Sequence, residues 1–349
     1  MYSVTWPLPI QIALFLISGF LVALVGIRLA DYAARIARRT GLGQAVTGAL
    51  FLGASTSLSG IITSVTAAAQ GHPELAASNA VGGIAAQTVF LAVADRVYRK
   101  ANLEHAAASD ENMLQGALLI ALLAGTLLAA FSPEVSILGI HPISPLILLG
   151  YGFGQRLVYT AKGQRMWQPR VTEYTQIEEE SEGETPAGSE DAPIARLWGS
   201  FLLAALAIGL LGYYLARSGV TIAEATGISE TTLGGIFTAI STSFPELVTA
   251  IAAVRLGALT LAVSDIMGGN AFDVIFLAVA DVAYRDGSVY HAMGGRPTFL
   301  IMLTILLTSI LLLGLIRREK HGIANIGFES FLLLIFYAGG FLLIVTAMS

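Results

Sequence analysis

The chain has 349 residues, 55% of them hydrophobic and 12% charged, with a mean hydropathy of +0.73 and a formal net charge of −5. A soluble domain carries roughly 25% charged residues, so about half the usual complement is missing, and the composition excludes a soluble globular protein. The absence of cysteine excludes disulfides, thiol chemistry and Cys-based metal sites.

Long apolar runs account for the missing charge, each about the 20 residues that cross a hydrocarbon core of roughly 30 Å. The opening stretch MYSVTWPLPIQIALFLISG lacks the basic n-region of a cleaved signal peptide, so the first run, 8–30, reads as a retained span. Spans two to five follow at 41–69, 75–98, 113–131 and 137–159. The next stretch, 161–194, is polar and contains EEESEGETPAGSEDAP. Its Glu, Ser, Gly and Pro content cannot bury enough apolar surface to fold alone. It has no EF-hand ligand spacing and is expected to be a solvated acidic linker between two five-helix halves, 1–160 and 195–349. Spans six to ten read as 195–216, 229–254, 259–284, 297–316 and 325–347.

With ten spans, all but three of the 19 basic residues fall on one side; Arg217, Arg285 and Arg296 are the exceptions. The positive-inside rule then places the linker in the cytoplasm and both termini outside. The expected setting is the plasma membrane, with the lipid bilayer and small inorganic cations as partners and no nucleic acid.

Sliding the sequence against itself by 186 positions aligns 40–99 with 226–285 without a gap, with 24 of 60 positions identical. The identities include Thr56 with Thr242, Ser57 with Ser243, and Gly82-Gly83 with Gly268-Gly269. The phrase STSLSG (55–60) returns as STSFPE (241–246), with Pro245 and Glu246 in place of Ser59 and Gly60. Five spans separate equivalent helices, and five is odd, so the copies cross the membrane in opposite directions. Inverted repeats of this kind build secondary transporters, with ion sites near the midplane where broken helices meet. Pro245 supplies such a break, freeing carbonyls around Ala239 to Thr242, while Gly53 and Gly60 weaken the equivalent turn of the first copy. The paired glycines allow close helix approach.

Intramembrane carboxylates cost roughly 2.5–3.5 kcal/mol at a helix centre and mark functional sites. Glu246 and Asp273 stand near the middle of spans seven and eight. Asp265, two turns before Asp273 and about 80° round the helix, looks toward the same space. Thr242 and Ser243 share the helical face of Glu246, and Thr56 and Ser57 face them from the inverted copy. Carboxylate, hydroxyl and carbonyl oxygens without nitrogen or sulfur ligands suit hard cations such as Na⁺, Ca²⁺ or H⁺. Asp95 and Asp281, at span ends among arginines, are expected to form interfacial salt bridges. The histidines at 72, 105, 141, 291 and 321 lack metal-ligand spacing and are expected to face solvent. No nucleophile–base pair or metal triad stands at a plausible depth, so neither an enzyme nor a resident cofactor is expected.

At these residues the sequence resembles the cation/calcium exchanger superfamily, specifically the sodium/calcium exchanger membrane region. The stretch STSFPELVTAIAAVRLGALTLAVSDIMGGNAFD (241–273) is similar to the family pattern G-T-S-x-P-E … G-N-x-x-G-S-N-x-x-[ND]. The resemblance implies an all-α fold of ten transmembrane helices in two inverted five-helix repeats. It also implies cation antiport by alternating access, in which two helices slide against the other eight. Carried over by position, it assigns ion ligands to Glu246, Asp273, Thr242, Ser243, Thr56 and Ser57. It adds Gln87 at the Asn/Asp position of the first copy, and the backbone carbonyls of Ala239 and Gly53. The family's first-repeat glutamate falls on Gly60, Ile84 replaces the Asn that Asn270 retains, and Gly269 replaces a serine. Na⁺/Ca²⁺ exchange is the implied activity. The loss at Gly60 leaves H⁺-coupled Na⁺ or Ca²⁺ antiport, and a non-transporting membrane relative, as alternatives.

Overall fold

A computed structural model describes residues 6–42, 44–98, 100–107, 109–161, 170–175, 193–225, 238–320, 322 and 327–347. Most of the expected linker, the first residues of expected span seven and His321 lie outside the described residues.

The first half opens with α1 (Leu8–Thr40), which ends at Gly41 in the left-handed region that a side chain would strain. Next come α2 (Gln44–Thr56) and α3 (Leu58–Ala69), one rod bent by 51°. Helices α4 (Pro73–Val97), α5 (Leu103–Ala106), α6 (Asp110–Phe131) and α7 (Ile143–Ala161) complete it. The second half runs α8 (Ile194–Ala225), α9 (Ala239–Thr242), α10 (Phe244–Arg255), α11 (Leu259–Ala283), α12 (Val289–Ala292), α13 (Gly295–Arg317) and α14 (Phe328–Ala347). Among the described residues seven helices are long and apolar enough to cross a membrane, or eight with the bent rod taken as one span. Helix α7 and the α9–α10 rod occupy the other two expected positions.

The offset of 186 carries α3 onto α10, α4 onto α11 and α5 onto α12 with coincident bounds. It carries α1 onto α8, α6 onto α13 and α7 onto α14 to within one residue. The duplication thus covers all five rods, although sequence identity marks only part of it. The tight turns after α3 and α10 fall on Gly71 and Gly257, with φ of 81° and 76°, where only glycine sits without strain.

Burial sorts the rods. In the apolar windows of α4 and α11, 89% and 72% of residues are buried, against 22% in α1. Helices α4 and α11 are the centre; α1, packed along α8, turns apolar faces such as Leu16, Ile17 and Phe20 outward. The central contact depends on glycine: a Cβ on Gly53 would lie 2.7 Å from the Gly269 Cα. Opposite α11, residues Thr47–Gly53 of α2 are wound as a wide π turn, which leaves backbone groups outside the regular ladder.

Two expectations are corrected here. Asp95 and Asp281 are fully buried and form no salt bridge with the described residues. Asp95 accepts from Leu103 N (2.7 Å), Gly327 N (3.1 Å) and Ser330 Oγ (3.2 Å). Asp281 accepts from Val289 N (3.0 Å), His141 N (2.7 Å) and Ser144 Oγ (2.7 Å), the same three partners displaced by the repeat. Each carboxylate satisfies N–H groups that helix starts leave without partners. It pins the loop after a central helix to the last helix of a half. Of the histidines, His72 is exposed, but His105 and His141 are buried. His105 bonds the Arg318 carbonyl and the Thr172 hydroxyl, and His141 the Ser132 hydroxyl. They are packed into loop joints because both ring nitrogens find partners there.

Candidate ion-binding site

Both broken rods break at the serine of the repeated phrase. Ser57 (φ −75°, ψ −3°) and Ser243 (φ −92°, ψ 2°) leave helical geometry between α2 and α3 and between α9 and α10. Pro245 lies in the first turn of α10, where its missing N–H leaves no bond unmade. Gly53 O accepts Ser57 N (3.0 Å) and Thr56 Oγ1 (3.0 Å); Ala239 O accepts Ser243 N (3.0 Å) and Thr242 Oγ1 (3.1 Å). The two threonine hydroxyls are therefore turned onto their own helix carbonyls and away from the carboxylates.

The serines, Gln87, Glu246 and Asp273 do converge, and all five are buried. Ser57 Oγ donates to Glu246 Oε1 at 3.2 Å. Gln87 Nε2 donates to Asp273 Oδ2 at 2.8 Å and to Ser243 Oγ at 3.2 Å. Every one of these bonds crosses from one half of the chain to the other. Gln87 presents its NH₂ group to the acids, while its own Oε1, Glu246 Oε2 and Asp273 Oδ1 are buried without a partner. None of the ion pairs among the described residues reaches this centre. No group of three His, Asp or Glu side chains among the described residues is arranged to hold a metal ion, and the centre here is a carboxylate pair with neutral oxygens.

Gly60, the counterpart of Glu246, has no room for a side chain. A Cβ there would lie 2.9 Å from Phe276 Cε2, and Phe276 is held edge-on in a stack with Phe272 and Tyr151. Sequence reasoning did not find Asn79 and Ser59. Asn79 Nδ2 donates to Gly60 O (3.2 Å) and Ser64 Oγ (2.9 Å), and Ser59 Oγ to Thr242 O (3.1 Å). Both lie in the repeat and could have been read as polar positions inside apolar spans.

The chain matches the family described as sodium/calcium exchanger protein over residues 10–151 and 196–347. It is 27% identical over 292 residues to a protein of Alkalimonas amylolytica named as an antiporter, CaxA, covering 82% of this chain and 85% of that one. It is 25% identical over 299 residues to the inner membrane protein YrbG of Escherichia coli (strain K12), covering 86% and 87%. Among solved structures, the sodium-calcium exchanger NCX_Mj superposes with a TM-score of 0.67 at 16% identity, covering 98% of this chain and 100% of that one. That likeness establishes the exchanger fold.

Proposed function

Because the chain belongs to the sodium/calcium exchanger protein family, we propose that it is a secondary active cation antiporter that exchanges Na⁺ for Ca²⁺ by alternating access. The observation that carries this reading is the set of buried bonds from Ser57 and Gln87 to Glu246 and Asp273, which joins the two inverted halves through their acids. A buried carboxylate pair without a basic partner is costly, and a bound cation is what would offset it. Glu246 and Asp273 carry up to two negative charges, enough for one Ca²⁺ or two Na⁺. Ser57 and Ser243 would add hydroxyl oxygens, and Gln87 its Oε1 once the amide turns. Thr56, Thr242 and the carbonyls of Gly53 and Ala239 would enter only if the breaks unwind further on loading.

Alternation would use two rods at the outside of the bundle. Helices α1 and α8 lie side by side and can slide over the broken helices, with Gly26 against Val248 and Gly212 against Ser59 at the equivalent crossings. The basic-residue bias supports a cytoplasmic linker and outward termini in a plasma membrane.

A second reading, H⁺ exchanged for Na⁺ or Ca²⁺, is favoured by one observation: Phe276 fills the place where a first-repeat glutamate would stand. That leaves fewer charges for Ca²⁺, which takes six to eight oxygens. Proteoliposome flux separates the two. Ca²⁺ uptake driven by a Na⁺ gradient and abolished in Glu246→Gln is the expected result. Uptake that ignores Na⁺ and follows a pH gradient would instead establish the second reading, and no flux under either gradient would mark a non-transporting relative.

A further inference from the structure

Asp265 is fully buried on α11 and stands outside the site described above. Its Oδ2 accepts from Thr249 Oγ1 at 2.7 Å, and its Oδ1 is buried without a partner. None of the ion pairs among the described residues involves it. The same Thr249 Oγ1 lies 3.1 Å from the carbonyl oxygens of both Pro245 and Glu246. One hydroxyl hydrogen therefore serves three acceptors, and the cluster holds more oxygen lone pairs than protons.

The repeat explains why this is unusual. Asp265 corresponds to Asn79, whose amide donates to the Gly60 carbonyl and to Ser64 Oγ. Gly60 corresponds to Glu246. Where the first copy sets an N–H group against the backbone carbonyl, the second sets a carboxylate on the Thr249 hydroxyl that also bonds the equivalent carbonyl. A donor exchanged for an acceptor in a buried place calls for a positive charge between the oxygens. A second feature lies close by. A Cβ on Gly48 would sit 2.9 Å from Asp265 N, so the π turn of α2 packs directly on this turn of α11. Its neighbour Thr47 has a buried hydroxyl without a partner.

We propose that Asp265, Thr249 and the carbonyls of Pro245 and Glu246 form a second cation station that takes one Na⁺, one turn along α10 from Glu246. The station deepens the antiport reading and rests on it. A single carboxylate with neutral oxygens suits a monovalent ion, whereas Ca²⁺ draws on more charge and more ligands. Asp265 precedes Asp273 by two turns, roughly 12 Å along the helix, toward the end of the spans that carries Arg255. The counterpart on the opposite side is the neutral Asn79, so the station makes the ion path asymmetric: the end marked by basic residues has an extra carboxylate and the other end has an amide.

The test is thermal unfolding of the full chain in detergent, titrated with NaCl against choline chloride at constant ionic strength. It compares wild type, Asp265→Asn, Thr249→Val and Glu246→Gln. Asn79 shows that an amide fits this position, so Asp265→Asn should fold, with a midpoint in choline at or above that of wild type. The expected result is that the dependence of the midpoint on log[Na⁺] falls by one ion in Asp265→Asn. In Thr249→Val the half-saturating Na⁺ concentration should rise severalfold. An unchanged Na⁺ dependence in Asp265→Asn, with Glu246→Gln insensitive to Na⁺, overturns the station and leaves the antiport reading standing. A wild type indifferent to Na⁺ overturns both. An Asp265→Asn effect that appears only on changing pH, at fixed Na⁺, assigns the group to a proton and overturns the sodium station.

Discussion

At the residue scale, the geometry of Gly60 and Gln87 gives each a role that its residue type does not announce. Gly60 reads from the sequence as a deleted ligand, but Phe276 fills the space where its side chain would stand. Restoring the carboxylate therefore meets a steric barrier before it meets an ion. Gly60→Glu should lower stability by about 1–3 kcal/mol from overpacking alone. Adding Phe276→Ala to it should cost less than the sum of the single changes, since the two sites share one volume. A double-mutant cycle by thermal unfolding checks this, and strict additivity would rule out the contact. Gln87 donates to Asp273 from the place a cation would take. Gln87→Glu removes that donor and adds charge, so the unliganded midpoint should fall while the gain on adding Na⁺ or Ca²⁺ grows; a cation response equal to wild type would contradict this role. Glu246, Asp273 and the two serines were legible because carboxylates and hydroxyls inside apolar spans are costly and spaced along one face. Phe276 was not, because no single-chain periodicity says which aromatic ring reaches across to a glycine on another rod. The threonine hydroxyls turn elsewhere for a related reason: a hydroxyl near a helix break has its own i−3 or i−4 carbonyl as a competing acceptor.

At the element scale, the broken rods and their pairing followed from the repeat, whereas the loops that tie the rods together did not. Hydropathy reports depth but not partner, so Asp95 and Asp281 looked like interfacial charges until the backbone groups they accept from came into view. Glu104 is buried, and both of its carboxyl oxygens are without a hydrogen-bond partner. Burial first, and the neighbouring Asp95 and Glu329 next, push the Glu104 carboxyl well above its ordinary value. A carboxyl raised in the folded state binds more protons there than in the unfolded chain. Its contribution is present below the unfolded value of about 4.3 and is lost as pH rises through the folded one. Midpoints measured upward from pH 5 should fall more steeply in wild type than in Glu104→Gln, and parallel curves would contradict a raised Glu104 carboxyl. On the same face, Arg318 donates to the His105 and Arg170 carbonyls and to Thr175 Oγ1, and Lys320 pairs with Glu173 at 2.8 Å. The described part of the expected linker, 170–175, is thus fastened to both halves. Arg318→Ala should cost about 1–3 kcal/mol through the partners it leaves unpaired and should speed proteolysis between residues 161 and 194; unchanged cleavage would detach the linker from this face.

At the scale of the whole molecule, the sequence carried the architecture because a duplication is visible wherever its two copies still agree. Over 40–99 they agree well enough to count, and the odd number of spans then sets the inversion. Outside that window identities thin out, most of all between α6 and α13, while the helix bounds still agree, because lipid-facing positions accept almost any apolar side chain. The copies differ most where the chemistry lies: Gly60 against Glu246, Gln87 against Asp273, Asn79 against Asp265. All of the acid at the centre thus comes from the second copy, while the first supplies hydroxyls and amides. The central claim is that one cation sits between the inverted halves on Glu246 and Asp273. The most direct measurement is an experimental structure from crystals soaked in Sr²⁺, located by its anomalous signal. The account predicts a peak within about 2.3–2.6 Å, the range for Ca²⁺–oxygen contacts, of carboxylate oxygens of both residues, with Gln87 turned to offer its oxygen. A peak away from both acids, or none at saturating Sr²⁺ with Gln87 still bound to Asp273, would contradict it.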